Sequence, residues 1–144
     1  MQLYLINHMK IVIADTENET VENICSLLST LGLDWQVSVS NSGKQCLSLL
    51  KESDCPDAIL LGMQLCDMPG LDFIRRIRDD SDVPIIVLSR ERDIKTMVAA
   101  FDAGANDYVI QPFNNHIFIA RLKALIRRRL WDKQAKKEEV INSN

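Results

Sequence analysis

Histidine is scarce in this chain: His8 and His116 are the two among 144 residues, and neither has a ligand partner at metal spacing. Both read as ordinary residues, which argues against a histidine-built metal centre. The four cysteines (Cys25, Cys46, Cys55 and Cys66) form no CxxC pair. That speaks against a zinc site or a disulfide framework and fits reduced thiols in a cytosolic protein. Glycine numbers five, and none builds a phosphate-cradling loop after the first strand. No apolar run approaches the ~20 residues of a membrane span. The first ten residues lack the early positive charge and long apolar stretch of a signal peptide.

What is present is the balance of a globular domain, 47% hydrophobic and 26% charged. A disordered, collagen-like or disulfide-built chain is excluded, and the length suits one domain. The net charge of −3 is unevenly spread. Residues 1–120 hold 9 Lys and Arg against 17 Asp and Glu, and residues 121–144 hold 8 against 3. An acidic body is not a general nucleic-acid binder. The basic end reads as a solvated helix end whose cations suit a C-terminal dipole.

Apolar runs alternate with helical patterns along the chain. Lys10 to Ala14 (KIVIA), Ala58 to Leu61 and Pro84 to Leu88 (PIIVL) are continuous enough for buried strands. Trp35, Val37 and Val39 alternate with polar residues as a second strand, and Tyr108 to Ile110 is a fifth. Val21, Ile24, Leu27, Leu28 and Leu31 recur at helical spacing before Gly32. Thr16-Glu17-Asn18-Glu19 fits a capping box opening that helix, at Thr16 or Asn18. Ser42-Gly-Lys-Gln45 reads as a capping box for a second helix with Cys46, Leu49 and Leu50. Further helices are expected over Leu71 to Arg78, Ile94 to Ala103 and Asn114 to about Trp131, with the last dozen residues fraying. Trp35 and Trp131 read as packing residues.

Alternating strand and helix predicts an α/β fold with a parallel sheet, doubly wound by right-handed crossovers. Such folds place their functional crevice outside the carboxyl ends of the strands. The residues there are Asp15, Thr16 and Glu17; Gly62, Met63 and Gln64; Ser89; and Gln111, Pro112 and Phe113.

These positions, with the stretches PDAILLGMQLCDMPGLDFIRRIR, VPIIVLS and FDAGANDYVIQPFNNHIFIARLKALIRR, resemble a CheY-like receiver domain of a two-component response regulator. The resemblance runs from about Lys10 to Arg129, and the last stretch is similar to the OmpR-type subfamily. It implies a flavodoxin-like (βα)5 three-layer sandwich with a five-stranded parallel sheet of order 2-1-3-4-5. It implies a receiver over residues 9–130, an N-terminal extension over 1–8 without assigned function, and a linker or tail over 131–144.

In that family an Asp after strand three accepts phosphate from a histidine kinase, two acids after strand one hold Mg²⁺, and a hydroxyl after strand four and a Lys before the Pro after strand five touch the phosphoryl group. Here the acceptor position is Gly62, the second metal position Thr16 and the Lys position Gln111, while Asp15, Ser89 and the switch aromatic Tyr108 match. Glycine supplies no nucleophilic oxygen. The expected reading is therefore a degenerate pocket with no catalytic residue and no cofactor, Mg²⁺ binding weakly or not at all with Asp15 as a weak candidate ligand. Ser89 has a plainer reading as a loop-bonding hydroxyl, and Tyr108 as a packed residue with its hydroxyl at the surface. Asp67 is the one nearby acid that could substitute as acceptor, though a solvated loop carboxylate is the plainer reading. Asp57 begins strand three, at the wrong end of the sheet.

The family pairs through helix four, strand five and helix five. Matching positions keep Asp107 with Arg121 and Asp102 with Lys123, while a third ion pair becomes Met97 with Ile117. With Val98, Phe101 and Ala120 nearby, this face is expected to form a homodimer without phosphorylation. The expected protein is not an enzyme. It is a cytoplasmic pseudo-receiver for dimerisation or for another signalling protein, linked to transcription, reaching DNA only through a separate effector domain and not binding membranes. The alternatives are phosphorylation on Asp67 and a small-molecule sensor at the crevice.

Overall fold

The computed structural model describes residues 8–32, 34–51 and 55–142. Most of the expected N-terminal extension lies outside the described residues. The elements alternate as β1 (Lys10–Ala14), α1 (Asn18–Thr30), β2 (Gln36–Ser40), α2 (Gly43–Lys51), β3 (Ala58–Leu61), α3 (Gly70–Asp80), β4 (Ile85–Ser89), α4 (Ile94–Ala103), β5 (Asp107–Ile110) and α5 (Asn115–Asn142). All five strands run parallel in the order β2-β1-β3-β4-β5. The doubly wound three-layer architecture expected from the alternation is the one observed.

Strand periodicity divides the core between two layers. Val12, Ala14, Ile59, Leu61, Ile85 and Val87 face one side, against Cys46 of α2, Phe73, Ile74 and Ile77 of α3 and Ala100 of α4. Their neighbours Ile11, Ile13, Ala58, Leu60, Ile86 and Leu88 face the other, against Ile24 and Leu28 of α1 and Phe118, Ile119, Leu122 and Ile126 of α5. Both faces are covered, so β3 is apolar at every position, and β1 and β4 carry a polar residue only at one end, Lys10 and Ser89. β2 is an edge strand and departs from the expected alternation: Val39 is exposed and Ser40 buried, its hydroxyl bonded to Gln45.

Helix ends show where local pattern and tertiary contact compete. The Ser42 hydroxyl accepts the Gln45 N–H at 3.2 Å, as a capping box requires, but the Gln45 side chain turns to Ser40. α1 starts without the expected box: Glu17 is its N-cap residue and makes no side-chain cap bond. Thr16 donates instead to the Gln64 carbonyl across the sheet end. Gly32 has φ +66°, the left-handed backbone that glycine tolerates after a helix. Asn114 caps α5 by accepting the Ile117 N–H at 3.0 Å.

α5 does not fray near Trp131; it continues to Asn142. Its last turns contain Ala, Lys, Gln and Glu without Gly or Pro, and Asp132 stands four residues before Lys136, a favourable helical pair. Trp131 is not a core residue. It is half exposed, with the Arg127 guanidinium 5.7 Å from its ring centroid. Trp35 is buried as expected. Among the described residues, no helix is long and apolar enough to cross a membrane.

Candidate functional site

The carboxyl ends of β1, β3, β4 and β5 open on one crevice of about 230 Å³, lined by Asp15, Thr16, Gly62, Gln64, Ser89, Arg90 and Gln111 among others. The parallel register brings these ends together, since Ala14 pairs with Leu61 and Leu61 with Val87. Asp15, Thr16, Gly62, Ser89 and Gln111 all line this crevice, while Pro112 and Phe113 line a neighbouring cavity.

The crevice is filled from within. Asp15 is 8% exposed and its Oδ1 accepts the Glu17 N–H at 3.0 Å. Burial pushes its carboxyl above the ordinary carboxylate range, against the lowering effect of that backbone bond. A Cβ at Gly62 would stand 2.6 Å from both Cγ and Oδ1 of Asp15. The absent side chain at 62 is thus space that Asp15 occupies. Thr16 donates its hydroxyl to the Gln64 carbonyl at 3.3 Å, tying the β1 loop to the β3 loop.

Charge in the crevice is also satisfied internally. Arg90 Nη1 meets Glu17 Oε2 at 2.9 Å. The Thr20 hydroxyl donates to the same Glu17 oxygen at 3.2 Å, and the Gln111 amide donates to Thr20 at 3.4 Å. Sequence reasoning missed Arg90 and Thr20. Their one signal is position, just past the end of β4 and on the first turn of α1.

A second set of bonds fixes the segment between β4 and α4. The Ser89 hydroxyl accepts the Glu91 N–H at 3.0 Å, and the Tyr108 hydroxyl donates to the Glu91 carbonyl at 2.9 Å. Ser89 thus plays its plainer part. Tyr108 does not place its hydroxyl at the surface, because the residue is buried and the loop folds over it.

The residues do not suit Mg²⁺, which demands near-octahedral oxygen ligands from carboxylates and phosphate. Asp15 already accepts a backbone bond on Oδ1, Glu17 is shared between Arg90 and Thr20, and Gly62 offers no side-chain oxygen. Among the described residues, no group of three His, Cys, Asp or Glu is placed to hold a metal.

Asp67 is not a free loop carboxylate. Its Oδ1 accepts the Gly43 N–H at 2.7 Å, and its Oδ2 accepts the Lys44 N–H at 3.0 Å and the Ser42 hydroxyl at 3.1 Å. It caps α2 from another loop, and those backbone donors hold its carboxyl below the ordinary range. Asp57 accepts the Lys10 N–H at the start of β1, the far end of the sheet, as its position in the sequence predicts.

On the helix-four, strand-five, helix-five face, Ile94 (74%), Val98 (50%), Phe101 (43%) and Ile117 (55%) expose apolar surface. The first three recur at i, i+4 and i+7 on α4. Met97, expected among them, is instead partly buried and packed against the core. Asp107 and Arg121 meet within the chain at 3.8 Å. Asp102 and Lys123, among the described residues, form no ion pair with each other within the chain.

Comparison with known proteins agrees with this architecture. The sequence model of the response regulator receiver domain matches residues 11–123. The DNA-binding response regulator MtrA of Mycolicibacterium smegmatis is 34% identical over 119 residues, which is 83% of this chain and 51% of that protein. The chain therefore spans about half the length of the curated relatives it matches. The receiver domain of a Pseudomonas aeruginosa sensor histidine kinase, with a magnesium ion coordinated in its active site cleft, superposes with TM-score 0.71 at 26% identity, covering 83% of this chain and 98% of that one. The Response regulator MprA of Mycolicibacterium vanbaalenii is 34% identical over 121 residues, again 83% of this chain and 51% of that protein.

Proposed function

The chain belongs to the response regulator receiver domain family, and from that premise we propose that it is a receiver that no longer takes a phosphoryl group. In this reading it works as a phosphorylation-independent association module in two-component-type signalling tied to transcription control. The observation that carries it is the Asp15–Gly62 contact. An acyl phosphate needs a carboxylate oxygen as nucleophile, and at the end of β3 there is no side chain to supply one. The room such a side chain would need is taken by Asp15. The neutral Gln111 stands where the family has its phosphate-contacting lysine, and it is engaged with Thr20.

The output surface in this reading is the exposed apolar stripe of α4 with Ile117, paired two-fold with a second copy. Burying such residues requires no charges to be desolvated, unlike the ion pair that the family carries at two positions of this face. In this reading DNA contact belongs to a separate effector domain; the Mycolicibacterium smegmatis relative is named a DNA-binding response regulator, and this chain matches 51% of it.

Incubation with acetyl phosphate and Mg²⁺, followed by intact-mass spectrometry, tests the proposal. No phosphoryl adduct is expected. An adduct that forms on the wild type and is lost without Mg²⁺ would overturn it.

A further inference from the structure

Glu17 follows the end of β1 and Arg90 the end of β4, and these strands are not neighbours, since β3 lies between them. Their side chains nevertheless meet at 2.9 Å in the crevice that Gly62 also lines. The contact continues through Thr20 to Gln111, so one chain of polar contacts joins the loops after β4, β1 and β5. Arg90 is followed by Glu91, whose backbone is held by Ser89 and Tyr108. The Glu91 side chain accepts the Asp93 N–H at 3.1 Å, and Asp93 in turn caps α4 by accepting the Lys95 N–H at 3.3 Å. The polar chain thus leads from the crevice to the first residue of the exposed stripe, Ile94.

We propose that the Glu17–Arg90 pair is an internal latch, a guanidinium–carboxylate bond that fixes the β4–α4 segment, and with it the apolar stripe of α4, with no bound ligand. This rests on the reading that the crevice takes no phosphoryl group, and it adds what holds the loops in its place. The space beside residue 62 in the same crevice is taken by the Asp15 carboxylate. Since both latch side chains are about half exposed, the bond is modest and salt-sensitive. The association face should therefore be tunable by ionic strength.

The test is amide hydrogen exchange over residues 89–94 of the full chain, comparing wild type, Glu17→Gln, Arg90→Gln and the double variant. Arg75→Gln, which removes an exposed ion pair on α3, is the control. Each single variant is expected to speed exchange about two- to five-fold, the range of a partly exposed ion pair. The double variant should be no faster than either single, because the two changes remove one interaction. About 0.5 M NaCl should move only the wild type and the control toward the variants. Exchange unchanged in the single variants, or strictly additive effects in the double, would overturn the latch. That failure is separable from failure of the parent reading, which is decided by the mass of a phosphoryl adduct alone.

Discussion

Asp15 and Gly62 fit together so closely that a Cβ on residue 62 would lie 2.6 Å from the Asp15 carboxyl carbon. The absent side chain and the buried carboxylate are two halves of one packing solution. Gly62→Ala must drive Asp15 off the Glu17 N–H or shift the end of β3. A loss of about 1–3 kcal/mol is expected, as for overpacking of a filled site. Chemical denaturation of the two proteins checks it; equal stabilities would show that the crevice yields freely.

Asp15 also predicts a pH dependence. Burial raises its folded-state value above the ordinary 3.8, so the fold favours the protonated form. The stabilisation is fully present below 3.8 and is lost as the pH rises through the folded value. Asp15→Asn keeps an oxygen for the Glu17 N–H and removes the charge. It should raise Tm at pH 7, and the advantage should vanish in acid below the ordinary value. Melting curves across pH check this.

Asp67 predicts the reverse. Its value is lowered by the Lys44 and Gly43 N–H groups, so its contribution is present above 3.8 and is lost as the pH falls through the still lower folded value. Asp67→Asn should lower Tm at neutral pH and converge with the wild type in strong acid. The same variant should leave the response to acetyl phosphate unchanged, because Asp67 acts as a helix cap and not as an acceptor.

Tyr108→Phe removes one partly buried hydrogen bond, from its hydroxyl to the Glu91 carbonyl. A cost of about 1 kcal/mol is expected. Faster amide exchange between β4 and α4 should accompany it. A silent variant would show that the loop does not depend on this bond.

Much of the fold was legible because the decisive signals were local. Lys10–Ala14, Ala58–Leu61 and Ile94–Ala103 were read with their observed bounds. Continuous apolar runs mark strands covered on both faces, and Asp93 and Gly104 bracket α4 by capping chemistry. What misled was tertiary. Thr16 fits a capping box by spacing, yet spends its hydroxyl on Gln64, 48 residues away. Asp67 looked like an idle loop acid because the helix it caps lies 23 and 24 residues earlier. Glu17 and Arg90 are separated by 73 residues, and no periodicity connects them. Met97 follows the family's surface position, but helix orientation turns it toward the core and leaves Val98 outside. The pocket positions converged because strand ends in a parallel sheet must, whatever their side chains do there.

The most direct test of the central claim is light scattering coupled to size exclusion over a concentration series, with and without acetyl phosphate and Mg²⁺. Phe101→Arg, on the exposed α4 stripe, runs beside the wild type. The expected result is a wild-type dimer whose mass at each concentration is the same in both conditions, and a folded monomer for the variant. A wild-type monomer that pairs only when phosphodonor and Mg²⁺ are present would contradict it.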